Sequence, residues 1–316
     1  MEVPSVLRRV LLAASASQRI HDLISTAPVT RAVVRRFVAG ENAAEALAVA
    51  ERLLADGLLV TLDYLGEYTA DAEQAAAVTT EYVSLIEQLL AAGYTAGGRT
   101  EVSVKPTAVG LGLAEHGEKT AAENIARICA AASAAGTTVT VDMEDHTRVE
   151  ATLRLVNNVR TDFPELGCVL QAYLRRTPGD CQALTMAGSR VRLCKGAYSA
   201  PDGVALAVRS EVDRNYARSL RILLDGAGYP MFATHDPRLI AIASSRAATL
   251  RRDTSSFEYQ MLYGIRPDEQ RRLAAGGARV RVYVPYGNDW YGYLVRRLAE
   301  RPANLAFFLR ALRSRD

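Results

Sequence analysis

Tyr293, Arg296 and Arg297 stand at i, i+3 and i+4 in Tyr293-Leu294-Val295-Arg296-Arg297, so one helix face would carry all three. Two guanidinium groups beside an aromatic ring form a planar fork suited to a small carboxylate. Glu300 lies one turn beyond Arg296. The same spacing also describes an amphipathic surface helix with two solvated arginines. The preceding Val284-Pro285-Tyr286-Gly287-Asn288-Asp289 reads as a loop that could bring this helix over a site elsewhere.

A second set of reactive side chains recurs along the chain, each at or just after a short β-rich run. Asp63 and Glu67 follow the first run and Lys105 the second. Asp142, Glu144 and Asp145 follow the third, and Gln171 closes the fourth. Arg192 and Lys195 bracket the end of the fifth, and Thr234 and His235 follow the sixth. Glu258 and Gln260 sit on the seventh, and Tyr283 lies in the eighth. Singly, such an Asp is a helix N-cap and such a Lys a solvated charge. As a ring they must pair with one another or face a ligand. Lys105, Arg192 and Lys195 make a cationic side suited to phosphates or carboxylates.

The elements that must position them alternate. The first 57 residues read as helices, ending at Gly57. Strands are expected at Leu58–Leu62, Glu101–Val104, Thr137–Val141, Cys168–Ala172, Val191–Cys194, Met231–Ala233, Phe257–Tyr259 and Val280–Val284. Helical periodicity fills gaps between them, as in Asp71–Ala92, Thr120–Ala135, Arg148–Asp162 and Val204–Leu224. Alternation of this kind predicts parallel β-α units. An open doubly wound sheet would carry a dinucleotide fingerprint, but the nearest string, Gly110-Leu111-Gly112-Leu113-Ala114-Glu115, has Glu in place of the third glycine. Eight units over about 260 residues fit an α/β fold of the (β/α)8, TIM-like barrel type, whose chemistry sits at the strand C-termini. The expected organisation is a helical segment over residues 1–57 packed on a catalytic barrel over 58–316, with a final helix over its mouth.

Composition narrows the partners. The net charge of +3, from 38 basic and 35 acidic residues, gives no pull toward nucleic acid. Cys129, Cys168, Cys181 and Cys194 form no C-x-x-C pair, and the four histidines show no paired metal spacing, so no metal is expected. Scattered cysteines read as reduced core thiols and point to the cytosol. The start of the chain, with Arg8-Arg9 before a short apolar run, reads as a docked helix rather than a signal peptide.

These strings, in this order, resemble the proline dehydrogenases of the monofunctional bacterial type. The resemblance rests on Thr61-Leu62-Asp63-Tyr64-Leu65-Gly66-Glu67, Val104-Lys105-Pro106, Asp142-Met143-Glu144-Asp145 and Gln171-Ala172-Tyr173-Leu174. It continues through Arg192-Leu193-Cys194-Lys195-Gly196-Ala197-Tyr198, Ala233-Thr234-His235-Asp236, Phe257 to Gly264 and Tyr293 to Leu298. It implies FAD at the strand ends and oxidation of L-proline to Δ1-pyrroline-5-carboxylate, the first step of proline catabolism to glutamate. It implies a membrane quinone as electron acceptor, a peripheral visit to the inner face of the membrane, and a separate pyrroline-5-carboxylate dehydrogenase downstream. By the same resemblance Lys105, Arg296 and Arg297 hold the proline carboxylate, while Leu262, Tyr283 and Tyr293 shape the ring pocket. Asp142 lies near substrate and flavin. Gln171, Arg192, Lys195, Gly196, Ala197, Thr234 and His235 contact the cofactor, and Glu67 is a gate pairing with Arg296. Ser199 departs from the family's pattern beside the adenine, and His146 has no role assigned. The chain ends at Asp316, so the further modules of fused relatives are expected to be absent.

Three other readings stay open on the residues alone. Asp142, Glu144 and Asp145 with His146 could serve a metal-dependent barrel hydrolase or aldolase. A flavin sensor without turnover and a non-catalytic interaction protein are the others.

Overall fold

The structure, a computed structural model, describes residues 34–294. Eight parallel strands close into a barrel in sequence order, and β1 pairs with β8. They are β1 (Leu59–Tyr64), β2 (Thr100–Val104), β3 (Thr138–Val141), β4 (Gly167–Gln171), β5 (Arg190–Cys194), β6 (Tyr229–Ala233), β7 (Glu258–Leu262) and β8 (Val280–Tyr286). The helices between them are α2 (Ala72–Ala91), α3 (Gly117–Ala135), α4 (Val149–Val159), α5 (Thr177–Ala183), α6 (Arg209–Asp225), α7 (Pro237–Thr249) and α8 (Pro267–Ala275), with α1 (Ala43–Ala55) before β1. The expected (β/α)8 class is the observed one. Some helices start on a side-chain cap. Asp71 caps α2 by accepting from the Gln74 amide at 2.8 Å, and Asp236 caps α7 with Pro237 at its first position.

One expected helix begins later than its periodicity suggests. Residues 204–208 do not join α6. The Leu206 amide instead donates to the Tyr173 carbonyl at 2.7 Å, and Leu174 bridges Ala205. Pairing across the loop beyond β4 holds Ala205 and Leu206, and the helix starts only at Arg209.

Two different interiors result from strict alternation along the strands. Outward residues such as Val60, Leu62, Val102, Val104, Val191 and Leu193 are buried between barrel and helices, forming the main apolar core with Tyr82, Ile125 and Leu220. Ala46, Val49 and Ala50 of α1 join that core. Most inward residues are polar, Val169 and Met231 being exceptions: Thr61 and Asp63 on β1, Glu101 and Ser103 on β2, Arg190 and Arg192 on β5, Glu258 and Gln260 on β7, and Arg281 and Tyr283 on β8. Some of their bonds run between strands that are not neighbours, as from Arg192 of β5 to Glu101 of β2 and to Gln260 of β7, so they cross the lumen. A barrel of this kind is ordinarily filled by branched apolar side chains. Here four carboxylates (Asp63, Glu101, Asp142, Glu258) meet four cations (Lys105, Arg190, Arg192, Arg281).

Among the described residues no helix is long and apolar enough to cross a membrane. Among the described residues the four cysteines form no disulfide, and three of them are buried.

Candidate active site

The C-terminal rim gathers Lys105, Asp142, Arg192 and Tyr283 from four strands into one network. Asp142 is its hub. The carboxylate accepts from Ser103 Oγ at 2.8 Å, Arg192 Nη1 at 2.8 Å and the Tyr283 hydroxyl at 2.7 Å. Lys105 Nζ lies 3.5 Å from its Oδ2. Burial pushes Asp142 up, but Lys105, Arg192 and the two hydroxyls outweigh it, so its pKa falls below the usual carboxylate value. Burial and the Asp142 charge together push the Tyr283 phenol well above its ordinary value, so it stays a donor. The Arg192 guanidinium also stands over the Tyr283 ring, 5.3 Å from its centroid.

Lys105 leans into the barrel. Its ammonium meets both oxygens of Asp63, at 2.7 and 2.8 Å, and Asp63 is fully buried. Two carboxylates thus share one ammonium. Asp142 has Arg192 besides, so it ionises first. Burial, with the Asp142 charge adding to it, pushes Asp63 up to about 6 even against Lys105. Lys105 itself is held protonated, because Asp63 and Asp142 outweigh the cost of its burial. Asp63 was legible as a rim residue, but its partnership with Lys105 was not. Glu67, beyond β1, stands close enough for its charge to raise both Lys105 and Glu144.

A second cluster forms beyond β4, β5 and β6. Gln171 donates from Nε2 to the Met143 and Glu144 carbonyls, both at 3.1 Å. Its Oε1 is buried and meets no donor among the described residues. Gly196 has φ +96°, and a Cβ there would come within 2.2 Å of the Tyr173 ring. Ala197 follows it, half-buried. Lys195 pairs with Asp213 of α6 and, at 3.4 Å, with Asp236. Arg238 closes the group by donating to both acids, at 3.0 and 2.9 Å. Thr234 is buried, its Oγ1 accepting from the Asp236 amide at 3.1 Å. His235 Nε2 accepts the Leu262 amide at 3.0 Å, which in the neutral ring puts the proton on Nδ1. This neighbourhood, with an unpaired acceptor, a glycine admitting no side chain and a lysine at the rim, fits a planar polar heterocycle carrying an anionic tail.

Of the three residues expected to shape the ring pocket, Leu262 and Tyr293 share one apolar cluster, while Tyr283 lies in the Asp142 network. Tyr293 is buried in a small apolar cluster with Phe37, Leu65, Ile265 and Trp290, and Leu262 packs against it. Arg296 and Arg297 lie outside the described residues.

The acidic run after β3 does not converge. Asp142 turns to Arg192 and Tyr283. Glu144 accepts from the Thr107 amide at 2.9 Å and its hydroxyl at 2.5 Å. Asp145 caps the turn at His146–Arg148, accepting from the Thr147 amide at 2.8 Å. Three carboxylates aimed at three different partners cannot share one metal, and no group of three metal-binding side chains occurs among the described residues.

Sequence reasoning missed the lower lumen. Glu101, Arg190 and Arg281 were not singled out, although the alternation Glu101-Val102-Ser103-Val104-Lys105 and Arg190-Val191-Arg192 carries the signal. Polar residues at every second position of a strand buried on both faces must point into the barrel.

Comparison with known proteins agrees with this geometry. The family model described as proline dehydrogenase matches residues 46–310. Proline dehydrogenase 1 of Bacillus subtilis is 38% identical over 307 residues, covering 97% of this chain and 99% of that protein. The proline dehydrogenase of Deinococcus radiodurans is 40% identical over 282 residues, covering 89% and 90%. Among solved structures, proline utilization A from Bdellovibrio bacteriovorus inactivated by N-propargylglycine superposes with a TM-score of 0.79 at 26% identity. That match covers 92% of this chain and 36% of the other, so this chain spans about a third of the larger protein. The closed barrel, its charged rim and kinship along nearly the whole chain make this protein a member of the proline dehydrogenase family.

Proposed function

We propose that this chain oxidises L-proline to Δ1-pyrroline-5-carboxylate with FAD bound across the barrel mouth, and that the electrons pass to a membrane quinone. The observation that carries the reading is the network of Lys105, Asp142, Arg192 and Tyr283 at the rim of a barrel matched throughout by the proline dehydrogenase family. A flavin supplies the two-electron acceptor for the hydride that leaves the carbon beside the ring nitrogen.

The chain's own residues do the rest. Lys105, with Arg296 and Arg297, binds the proline carboxylate and fixes the ring position. Leu262 and Tyr293 close an apolar wall against the ring methylenes, and the Tyr283 hydroxyl, tied to Asp142, limits its other side. Arg192 keeps a positive charge in the site, which favours accumulation of negative charge on the cofactor. Gln171 offers its unpaired Oε1 to a cofactor N–H, and Lys195, Gly196, Ala197, Thr234 and His235 form the bed for the remainder of the dinucleotide. Glu67 pairs with Arg296 to shut the mouth and exclude water. The product is handed to a separate pyrroline-5-carboxylate dehydrogenase.

The absorbance spectrum of the purified protein tests this reading. Flavin bands that bleach on anaerobic addition of L-proline are expected. A colourless protein that FAD cannot reconstitute overturns it.

A further inference from the structure

Arg192 is held from beneath. Its Nε donates to Gln260 Oε1 at 2.5 Å, its Nη1 to Ser103 and Asp142, and its Nη2 to Glu101 Oε1 at 2.9 Å. Four of its five N–H groups are therefore committed to the barrel wall and lumen. Asp142 is the acceptor that belongs to the rim. Glu101, one layer deeper, is the only other carboxylate paired with this guanidinium among the described residues.

Glu101 is itself over-determined. It is fully buried, accepts from Thr61 Oγ1 at 2.7 Å and from Thr140 Oγ1 at 3.3 Å, and pairs with Arg190 at 2.6 Å. Gln260 is aligned in the same way: its Nε2 donates to Glu258 Oε1 at 2.6 Å, which fixes its Oε1 toward Arg192. The lower lumen is thus a socket that sets both where the guanidinium sits and how much of its charge is compensated.

We propose that Glu101 is the positioning residue of this site, acting through Arg192 to fix its guanidinium beneath the cofactor and to set the charge the cofactor meets. The proposal rests on the functional reading above for its electrochemical consequence, and on the geometry alone for its structural one. A planar donor with five N–H groups keeps its orientation only while its acceptors do. Loss of Glu101 leaves Asp142 as the one carboxylate paired directly with Arg192 among the described residues, so the guanidinium swings up toward the rim with its positive charge less compensated.

Two variants of the holoenzyme test this. E101Q removes the charge and keeps the shape, while E101D keeps the charge and withdraws the carboxylate by one methylene. In E101Q the flavin midpoint potential should rise, because an anionic reduced cofactor faces a less compensated cation. Its kcat should fall at least tenfold, with KM for proline and flavin content within about threefold of wild type. E101D should lose at least fivefold in kcat with little change in potential. A crystal structure of either variant should show the Arg192 guanidinium drawn away from residue 101 and Gln260, toward Asp142. Wild-type potential and kcat in folded E101Q, or an unmoved Arg192, overturn the proposal. Should E101Q fail to fold, E101D decides, and wild-type kcat with an unmoved Arg192 overturns it there. A wild-type protein that takes up no flavin refutes the functional reading instead, and the crystal structures still decide the position of Arg192.

Discussion

Lys105→Met should produce an instability that grows with pH. Lys105 is the cation nearest to the fully buried Asp63, which it meets through both oxygens. With the ammonium present, Asp63 ionises at about 6. With methionine in its place, the remaining influences of burial and Asp142 both raise Asp63, so the folded protein keeps that proton well above pH 6. The unfolded chain gives it up near the ordinary carboxylate value of about 4. Between pH 6 and 8 the folded variant binds one more proton than its unfolded state, whereas wild type binds equal numbers. Stability of the variant therefore falls as pH rises, by about 1.4 kcal/mol per unit relative to wild type. Below pH 6 both proteins carry a protonated Asp63, and the gap shrinks to the lost hydrogen bonds, about 1–2 kcal/mol. At pH 8 it reaches about 4 kcal/mol, within the range for removing one partner of a buried ion pair. Urea denaturation followed by circular dichroism at pH 6, 7 and 8 measures the gap. In an Asp63→Asn background the dependence should vanish. A gap that stays flat from pH 6 to 8 refutes the reasoning.

Burial likewise pushes Glu144 up to about 7 against its two Thr107 donors. Its contribution to stability is complete below about pH 4.5 and is lost as pH rises toward 7, so relative to Glu144→Gln the wild type should lose about 3 kcal/mol across that window. Urea midpoints at pH 4.5 and 8 read the difference. Gly196→Ala, which must displace the Tyr173 ring and hold φ at +96°, should cost about 1–3 kcal/mol and release flavin on gel filtration, measured as the ratio of flavin to protein absorbance. Arg297→Met should raise KM for proline by the equivalent of about 2–5 kcal/mol with flavin content unchanged, and Arg296→Met should do the same while loosening closure over Glu67; wild-type KM in both would make them solvated surface arginines.

The barrel was legible because its strands are short, buried and separated by 3.6-period stretches, and because each functional run follows a strand directly. Lys105, Asp142, Arg192 and Tyr283 could be assigned to one rim since a parallel barrel puts every strand end on the same side. Their pairing could not be read, because it depends on which lumen-facing residues share a layer, and strand register sets that. Val169 pairs with Arg192, and Asp63 with Ser103, through registers that no local spacing encodes. The helix expected from Val204 failed for a related reason: periodicity describes a segment by itself, whereas residues 204–208 are claimed by the backbone beyond β4.

The ionised lumen also governs how this barrel can assemble. Arg281, from β8, donates to the Val60 carbonyl of β1 at 3.1 Å and to Glu258 at 2.7 Å, so it spans the junction where the last strand meets the first. Until that junction closes, water can reach the charges inside and solvate each of them. Closure strips that hydration from all of them together, and the compensating bonds form only if every layer is in register. An apolar lumen would reward each added strand separately and tolerate a misaligned one. This lumen penalises any register that leaves a charge unmatched, so partly closed or slipped barrels are poor competitors and the final docking step carries the selectivity. A circular permutant opened between α8 and β8 keeps every strand but changes which seam closes last, and its refolding rate should respond to salt differently from that of the natural chain order.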